Sequence, residues 1–402
     1  MINRSSYINL IKPFIGKPMI KAITGIRRCG KSTLMQQLIA LIKENGVDEE
    51  SIISINKELF EFDSILTYKD LHAYISSKSV ATKTKYYVFI DEIQEIESWE
   101  KAVNSLLAQQ NYDIYITGSN ARLMSSELAT LLSGRYVEFR MYTLSYAEFT
   151  QLLKTKNVTQ NQESNFDLFL KYGGFPGIHH LEMEDSIIRQ YLQSVYSTVL
   201  LKDVVVRYNI RDSAMLDLIT KYIIDTCGNI TTAKNISLFM KSQHRSVSVD
   251  TVLNYIHYCC NAMILEQVRR FDVKGRRILE THEKYYMADI GFRYATVGYT
   301  PEAISGQLEN IVFLELLTRG YSVSIGKVGE KEIDFIAQKG TDKIYYQVCT
   351  QLTDGKVIDR EYSSLEAVND HFPKMVLSLD KGFETSRNGI QWMNIEDFLL
   401  KK

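Results

Sequence analysis

Proline is scarce in this chain. Five prolines in 402 residues is about a quarter of average usage, which excludes long Pro-rich linkers. Cysteine is scarce as well: Cys29, Cys227, Cys259, Cys260 and Cys349 form an odd set without C-x-x-C spacing. A disulfide framework and a Cys-rich zinc site are therefore not expected, and reduced thiols fit a cytoplasmic protein. Neither sign of charge is in excess, with 47 basic against 48 acidic residues. A global attraction to nucleic acid or to a membrane surface is excluded, so any such surface has to be local. No stretch of ~18 apolar residues occurs, so no spanning helix and no membrane partner is expected. The uncharged run Gln190 to Leu201 reads as a buried helix face. The N-terminus has no continuous apolar core with a small-residue cleavage site, and no signal peptide is expected.

What is present is ordinary globular composition, 45% hydrophobic and 24% charged, at a length that suits two to three domains. The first ~140 residues alternate strand and helix patterns. Strands are expected at Ile20–Thr24, Ser51–Ile55, Tyr86–Ile90, Asp113–Thr117 and Tyr136–Met141, with helices at Thr33–Lys43, Trp99–Ala108 and Ser125–Leu132. Such alternation argues for an α/β fold with a parallel sheet covered on both faces. Beyond Tyr142 the pattern is mainly helical to about residue 262, broken by the loop Tyr172-Gly-Gly-Phe-Pro-Gly-Ile178.

Gly25-Ile26-Arg27-Arg28-Cys29-Gly30-Lys31-Ser32-Thr33 fits G-x-x-x-x-G-K-[ST] between a strand and a helix. The glycines let backbone N–H groups turn inward on phosphate, and the helix N-terminus adds positive charge. Lys31 is expected to reach the β and γ phosphates, and Ser32 to complete a magnesium shell. Some 60 residues on, the apolar strand Tyr87-Val-Phe-Ile ends in Asp91-Glu92. At the C-terminal end of a parallel strand these face a nucleotide crevice, Asp91 to hold magnesium and Glu92 to activate water. The fourth strand ends Thr117-Gly118-Ser119-Asn120. Ser119 first, and Asn120 second, could contact the γ-phosphate or the lytic water; a plain turn and helix cap is the competing reading. Arg135 could meet its own nucleotide or a neighbouring subunit's, or be a solvated helix-end cation. ATP and Mg2+ are the implied cofactors. A guanine signature is missing, and the carboxylate pair favours water as acceptor, against a GTPase or kinase.

Together these segments resemble the AAA-type branch of P-loop ATPases. More narrowly, residues 118–136, Leu144-Ser-Tyr-Ala-Glu-Phe149, 172–178 and Lys284-Tyr-Tyr-Met-Ala-Asp-Ile-Gly-Phe-Arg293 resemble a bacterial and archaeal family. In that family the ATPase precedes a winged helix and a C-terminal domain of unknown function. The resemblance implies sheet order 5-1-4-3-2 and a capacity to oligomerise. The expected division is an ATPase domain over 1–150, a helical lid or linker over 151–210, a winged helix over 211–300 and a C-terminal domain over 301–402.

Two amphipathic helices, one after Thr231–Thr232 and one from Ser248, precede a β-pair, which is winged-helix order. The turn region of the pair carries Arg269, Arg270, Lys274, Arg276 and Arg277 against one acid. A double-stranded DNA clamp is one reading, with Ser246, Ser248, Thr251 and Asn254 offered by the second helix; a solvated hairpin tip is the other. In the last module Glu309 on a helix, Asp334 on a strand and Gln347 on the next resemble a restriction-endonuclease-like site. Cys349 stands where that pattern needs lysine, so a degenerate nuclease is expected. The functional expectation is an ATPase that switches or drives its downstream modules, on DNA or a protein partner. The alternatives are a nucleotide-regulated DNA-binding protein and a metal-dependent nuclease. His179-His180 is the one histidine pair and reads as surface loop. The 25 tyrosines are spread as core residues.

Overall fold

The computed structural model describes residues 2–79, 83–119, 132, 134–155, 164–300, 304–382 and 386–401. The chain divides into two compact units, Met1–Tyr142 with Asn261–Met263, and Thr143–Cys260 with Ile264–Lys402.

The first unit is a five-stranded sheet of order β2-β3-β4-β1-β5, which is 5-1-4-3-2 read from the other edge. The strands are β1 (Ile20–Thr24), β2 (Ile52–Asn56), β3 (Tyr86–Asp91), β4 (Tyr112–Gly118) and β5 (Tyr136–Arg140), and all pairings are parallel. Helices α1 (Ser5–Ile11), α2 (Lys31–Glu44), α3 (Tyr68–Lys78) and α4 (Trp99–Ala108) cover it. Alternate strand residues pack with α3 and α4: Ile20, Ala22, Ile53, Ile55, Val88, Ile90, Ile114 and Ile116 join Leu71, Ile75, Val103 and Leu106. This two-sided burial is why the strands read as nearly unbroken apolar runs. The opposite face is not wholly apolar. Lys21 is fully buried and pairs with Asp113, whose carboxylate also accepts from Tyr115 (2.9 Å) and from the Gly16 N–H (2.7 Å). Burial pushes the Lys21 ammonium below its ordinary value, and Asp113 opposes that. Asn120 and the helix expected over Ser125–Leu132 fall outside the described residues, save Leu132, which is buried.

The second unit opens with α5 (Tyr146–Thr155), α6 (Asn165–Tyr172) and α7 (Asp185–Thr198), the last continued by a π-helix over Val199–Val206. Leu201 and Val206 in that continuation are exposed, so the uncharged run is buried on one side only. Then come α8 (Ser213–Asp225), β6 (Ile230–Thr231), α9 (Ala233–Ser242), α10 (Val249–Asn261), β7 (Leu265–Asp272), β8 (Arg277–Met287) and α11 (Gly291–Thr296). The C-terminal elements are α12 (Ile304–Thr318), β9 (Ser322–Val328), β10 (Lys331–Lys339), β11 (Asp342–Val348), α13 (Gly355–Glu366), β12 (Lys374–Ser378), β13 (Gln391–Asn394) and α14 (Ile395–Leu400).

One eight-stranded sheet, β13-β12-β11-β10-β9-β7-β8-β6, runs through this unit. The hairpin β7–β8 is therefore not a free wing: β7 pairs with β9 in parallel, from Arg270↔Ile325 to Asp272↔Lys327. The boundary expected between residues 300 and 301 does not interrupt the sheet. Tyr286 of β8 and Phe335 of β10 stand three places apart in the order, yet their ring centroids are 5.6 Å apart, with Phe313 of α12 against both. The sheet curls around α12.

The loop at 172–178 and the segment 287–293 clasp each other. Asp289 is buried and accepts from the N–H groups of Gly174 and Gly291, each at 2.8 Å. Gly173 has φ +74°, and a Cβ there would lie 1.9 Å from Asp289 Oδ1. Among the described residues no helix is long and apolar enough to cross a membrane.

Candidate active site

The phosphate loop leaves the C-terminal end of β1. Gly25 has φ +154°, and a Cβ there would lie 2.4 Å from the Met141 carbonyl oxygen, so both backbone and space require glycine. Helix α2 starts at Lys31, with Gly30 at φ +106° as N-cap and no side-chain cap. Its first-turn N–H groups and positive dipole end are left for an anion. Lys31 is buried; its Nζ donates to the carbonyls of Gly25 (3.0 Å) and Ile26 (3.2 Å) and lies 3.8 Å from Glu92 Oε1. Ile26 and Cys29 are buried, Arg27 and Thr33 half-buried, and Arg28 and Ser32 exposed. Burial pushes the Cys29 thiol up, so it packs beneath the loop and is not a reactive group. Arg27 stands 3.8 Å from Glu58.

Asp91 and Glu92 are buried at the end of β3. Thr117 ties them together: its hydroxyl donates to Asp91 Oδ1 and accepts from the Glu92 N–H at 3.0 Å. Ser119 donates to Glu92 Oε2 at 3.3 Å, and the Gln94 amide donates to the same oxygen. Lys31, Asp91, Glu92, Thr117 and Ser119 thus converge at one end of the sheet. Arg135 is not with them. It is exposed, and its carbonyl accepts from the Ile20 N–H (2.9 Å) at the start of β1. At ~3.3 Å per residue the length of β1 separates that carbonyl from the phosphate loop by about 16 Å. Asn120 lies outside the described residues.

Asp91 and Ser32 offer hard oxygen ligands of the kind magnesium takes, the rest of its shell coming from phosphate and water. Among the described residues no group of three or more His, Cys, Asp or Glu is placed to hold a metal ion. His179, expected on a loop surface, is buried edge-on to Phe149 (5.4 Å).

Sequence reasoning missed three contributors here. Thr117 has no motif signal that sets it apart from Ser119 and Asn120. Gln94 follows Glu92 by two residues, with no spacing signal. Arg4 comes from the N-terminus: its guanidinium donates to the carbonyls of Cys29 (3.5 Å) and Tyr142 (2.9 Å) and stacks on Tyr7 (4.9 Å). It braces the loop from behind.

The second unit holds a different cluster from the one expected. Lys284 of β8 places its Nζ 2.8 Å from Glu332, 3.1 Å from Glu309 and 3.7 Å from Asp334. Tyr286 donates to Glu309 at 3.0 Å and the Val348 N–H to Asp334 at 2.8 Å. Burial pushes the Glu309 and Asp334 carboxyls up, against the pull of Lys284. Burial alone would lower the Lys284 pKa, but the three carboxylates outweigh it and hold it raised. A register shift between Ile333 and Ile336 leaves both in the core beside α13 and turns Asp334 the other way, as a β-bulge does. Gln347 is not part of this cluster: its amide bonds Glu361 (3.1 Å) and Ser364 (3.2 Å) on α13. Cys349 is buried in the same core. The expected Glu309–Asp334–Gln347 set is therefore corrected to Glu309, Asp334 and Glu332 around a lysine from the hairpin.

On the hairpin, Arg269, Lys274, Arg276 and Arg277 are exposed and Arg270 is half-buried. Arg269 lies 3.9 Å from Glu283. On α10, Ser248 and Thr251 hydrogen-bond each other (2.9 Å) and cap the helix, while Val249 and Leu253 are exposed.

A parallel 5-1-4-3-2 sheet with a lysine loop after β1 and an acidic pair after β3 is the P-loop fold of the AAA type. Residues 17–150 match the family described as "AAA domain", and residues 163–303 match "Domain of unknown function (DUF8612)". An uncharacterized protein of Haemophilus influenzae is 34% identical over 401 residues, covering 100% of this chain and 99% of its own. An uncharacterized protein of Methanocaldococcus jannaschii is 28% identical, covering 96% of this chain and 86% of its own. Among solved structures, the Walker-type ATPase Paby2304 of Pyrococcus abyssi superposes with a TM-score of 0.50 at 14% identity, covering 73% of this chain and 95% of that one. The chain belongs to the same family as the Haemophilus protein, which it matches end to end, and carries an AAA domain over residues 17–150.

Proposed function

We propose that this protein hydrolyses ATP with magnesium and uses the cycle to switch its second unit. The observation that carries the reading is the convergence of Lys31, Asp91, Glu92 and Ser119 beside an uncapped helix N-terminus. Lys31 and the loop N–H groups bind the phosphates, Ser32 and Asp91 hold the magnesium, and Glu92 takes the proton of the attacking water. Bound magnesium would neutralise charge on the β and γ phosphates. Lys31 is held by two loop carbonyls and faces Glu92, so phosphate has to draw it away from its own loop. That exchange links ligand binding to the state of the base.

The element order α8-β6-α9-α10-β7-β8 supports a winged-helix reading. The exposed cations Arg269, Lys274, Arg276 and Arg277 support duplex DNA as a partner through backbone phosphate. Base reading by α10 is not part of the proposal, because Ser248 and Thr251 are engaged with each other and the helix presents Val249 and Leu253. Arg135 serves only if a second copy supplies the nucleotide, which makes a homo-oligomer the form in which it acts. Phosphodiester cleavage is not proposed, since Gln347 and Cys349 face the core of α13.

The test is steady-state ATP turnover with Lys31→Ala as control, with and without duplex DNA. Turnover that Lys31→Ala abolishes is expected, raised severalfold by DNA. No turnover in the wild type sinks the ATPase reading; turnover indifferent to DNA sinks DNA as the partner. Neutralising the four exposed cations should weaken DNA binding and flatten its salt dependence by up to about 4 units of slope, at ~0.9 per phosphate contact.

A further inference from the structure

Glu92 does not stand alone in its site. Its backbone is left-handed, with φ +54°, and opens a short 3-10 turn over Ile93–Glu95. That turn swings the Gln94 side chain back onto Glu92, so that the amide donates to Glu92 Oε2. The partner sets which way the amide faces: an ionised carboxylate only accepts, so the atom against it is the nitrogen. Gln94 Oε1 then faces away. It is buried and accepts from no group among the described residues.

A buried acceptor without a donor costs stability, and this one sits one amide group away from the general base of the proposed reaction. The remaining bonds around Glu92 are accounted for. Oε2 takes Gln94 and Ser119, and Oε1 faces Lys31 at 3.8 Å. When Lys31 moves to phosphate, Glu92 Oε1 joins Gln94 Oε1 as an open acceptor, the two carried by side chains that are hydrogen-bonded to each other. A water molecule has two protons to give.

We propose that Gln94 is a catalytic residue that orients the attacking water, a role that rests on the ATPase reading. The water donates one proton to Glu92 and the other to Gln94 Oε1, which aims its lone pair at the γ-phosphorus. Its oxygen forms the new bond to that phosphorus, one of its protons passes to Glu92, and the bond to the bridging oxygen breaks with its electrons leaving on ADP. Gln94 makes no bond to nucleotide, so its effect falls on the chemical step and not on binding.

The experiment compares the wild type with Gln94→Leu, which removes donor and acceptor at nearly constant volume, and Gln94→Asn, which withdraws the amide by one methylene. Turnover, ADP affinity, affinity for ADP with magnesium and aluminium fluoride, and melting temperature are measured on the full chain. Both variants are expected to lose kcat by about 100-fold, with KM and ADP affinity within about twofold. Affinity for the aluminium fluoride complex, which mimics the transition state, should fall in step with kcat, and melting should be unchanged. Full kcat in Gln94→Leu overturns the proposal. So does a kcat loss matched by a loss of ADP affinity or a lowered melting temperature in both variants, which would make Gln94 structural. A wild type that binds ADP and never turns over ATP overturns the ATPase reading itself, and Gln94's role with it.

Discussion

Lys31 illustrates how a single residue divides its duties. It bonds two carbonyls of its own loop and faces Glu92, so Lys31→Ala should do more than remove a ligand contact. The carbonyls of Gly25 and Ile26 lose a charged donor, a loss of ~1–3 kcal/mol. ATP binding should vanish while denaturation still shows a cooperative transition; a variant that keeps wild-type ATP affinity would exclude Lys31 from the site. Asp289 is the second informative residue. Burial pushes it up to about 6, against the pull of Thr143 and of the Gly174 and Gly291 N–H groups. A carboxyl raised on folding favours the native state below its unfolded value near 3.8, and that contribution disappears as pH rises through about 6. The difference in stability between wild type and Asp289→Asn should therefore fall across pH 4 to 6, by roughly 3 kcal/mol at ~1.4 per unit. A pH-independent difference would show that Asp289 titrates normally. At this scale the motif residues were legible, because phosphate chemistry demands Gly25, Gly30, Lys31 and Asp91 at set spacings. Thr117 and Arg4 were not, because their partners lie far off in the chain, and Gln94 was not, because only the left-handed turn at Glu92 brings it back onto that residue.

At the scale of elements, two segments that stand out in the sequence turn out to be halves of one clasp. Gly173 and Gly291 are glycines because the Asp289 carboxylate and the Tyr172 carbonyl occupy the space of a side chain. Gly173→Ala adds that collision to a positive φ and should cost about 3 kcal/mol, read as a lower denaturation midpoint; an unchanged midpoint would mean that the clasp yields freely. The strand β8 carries the other lesson. Its Lys284 is the cation for carboxylates from α12 and β10, and removing one partner of a buried ion cluster is expensive. Lys284→Ala should destabilise the second unit by ~3–5 kcal/mol, measured by denaturant titration, whereas Arg276→Ala on the exposed turn should fall within about 0.5 kcal/mol. Equal effects would remove the cluster from the stability of the fold. The boundaries of β1 and α4 could be read from the pattern alone. The extent of β8, from Arg277 to Met287, could not, because its first half owes its order to pairing with β7.

At the scale of the molecule, the second unit is one sheet from β6 to β13, and this carries a prediction about dissection. A fragment ending at residue 300 leaves β7 without β9 and Lys284 without all three carboxylates. A chain of residues 143–300 should therefore lack the cooperative unfolding and dispersed amide spectrum that residues 143–402 show. A fragment with native dispersion would establish an autonomous winged helix. The strand order came only with the family resemblance, but the amino-acid sequence by itself determined that the first sheet is parallel, and it determined the phosphate loop and the acidic pair. Each of these is encoded locally: apolar runs for strands buried on both faces, glycine where the backbone must turn on phosphate, carboxylates where a strand ends. Tertiary structure alone decided that Arg135 lies at the far edge of the sheet, that Gln347 turns into the core, and that Lys284 enters the acidic cluster. Each of those depends on which strands become neighbours and where a bulge reverses the alternation of side chains. Pairings between residues that lie tens of positions apart leave no period in the sequence.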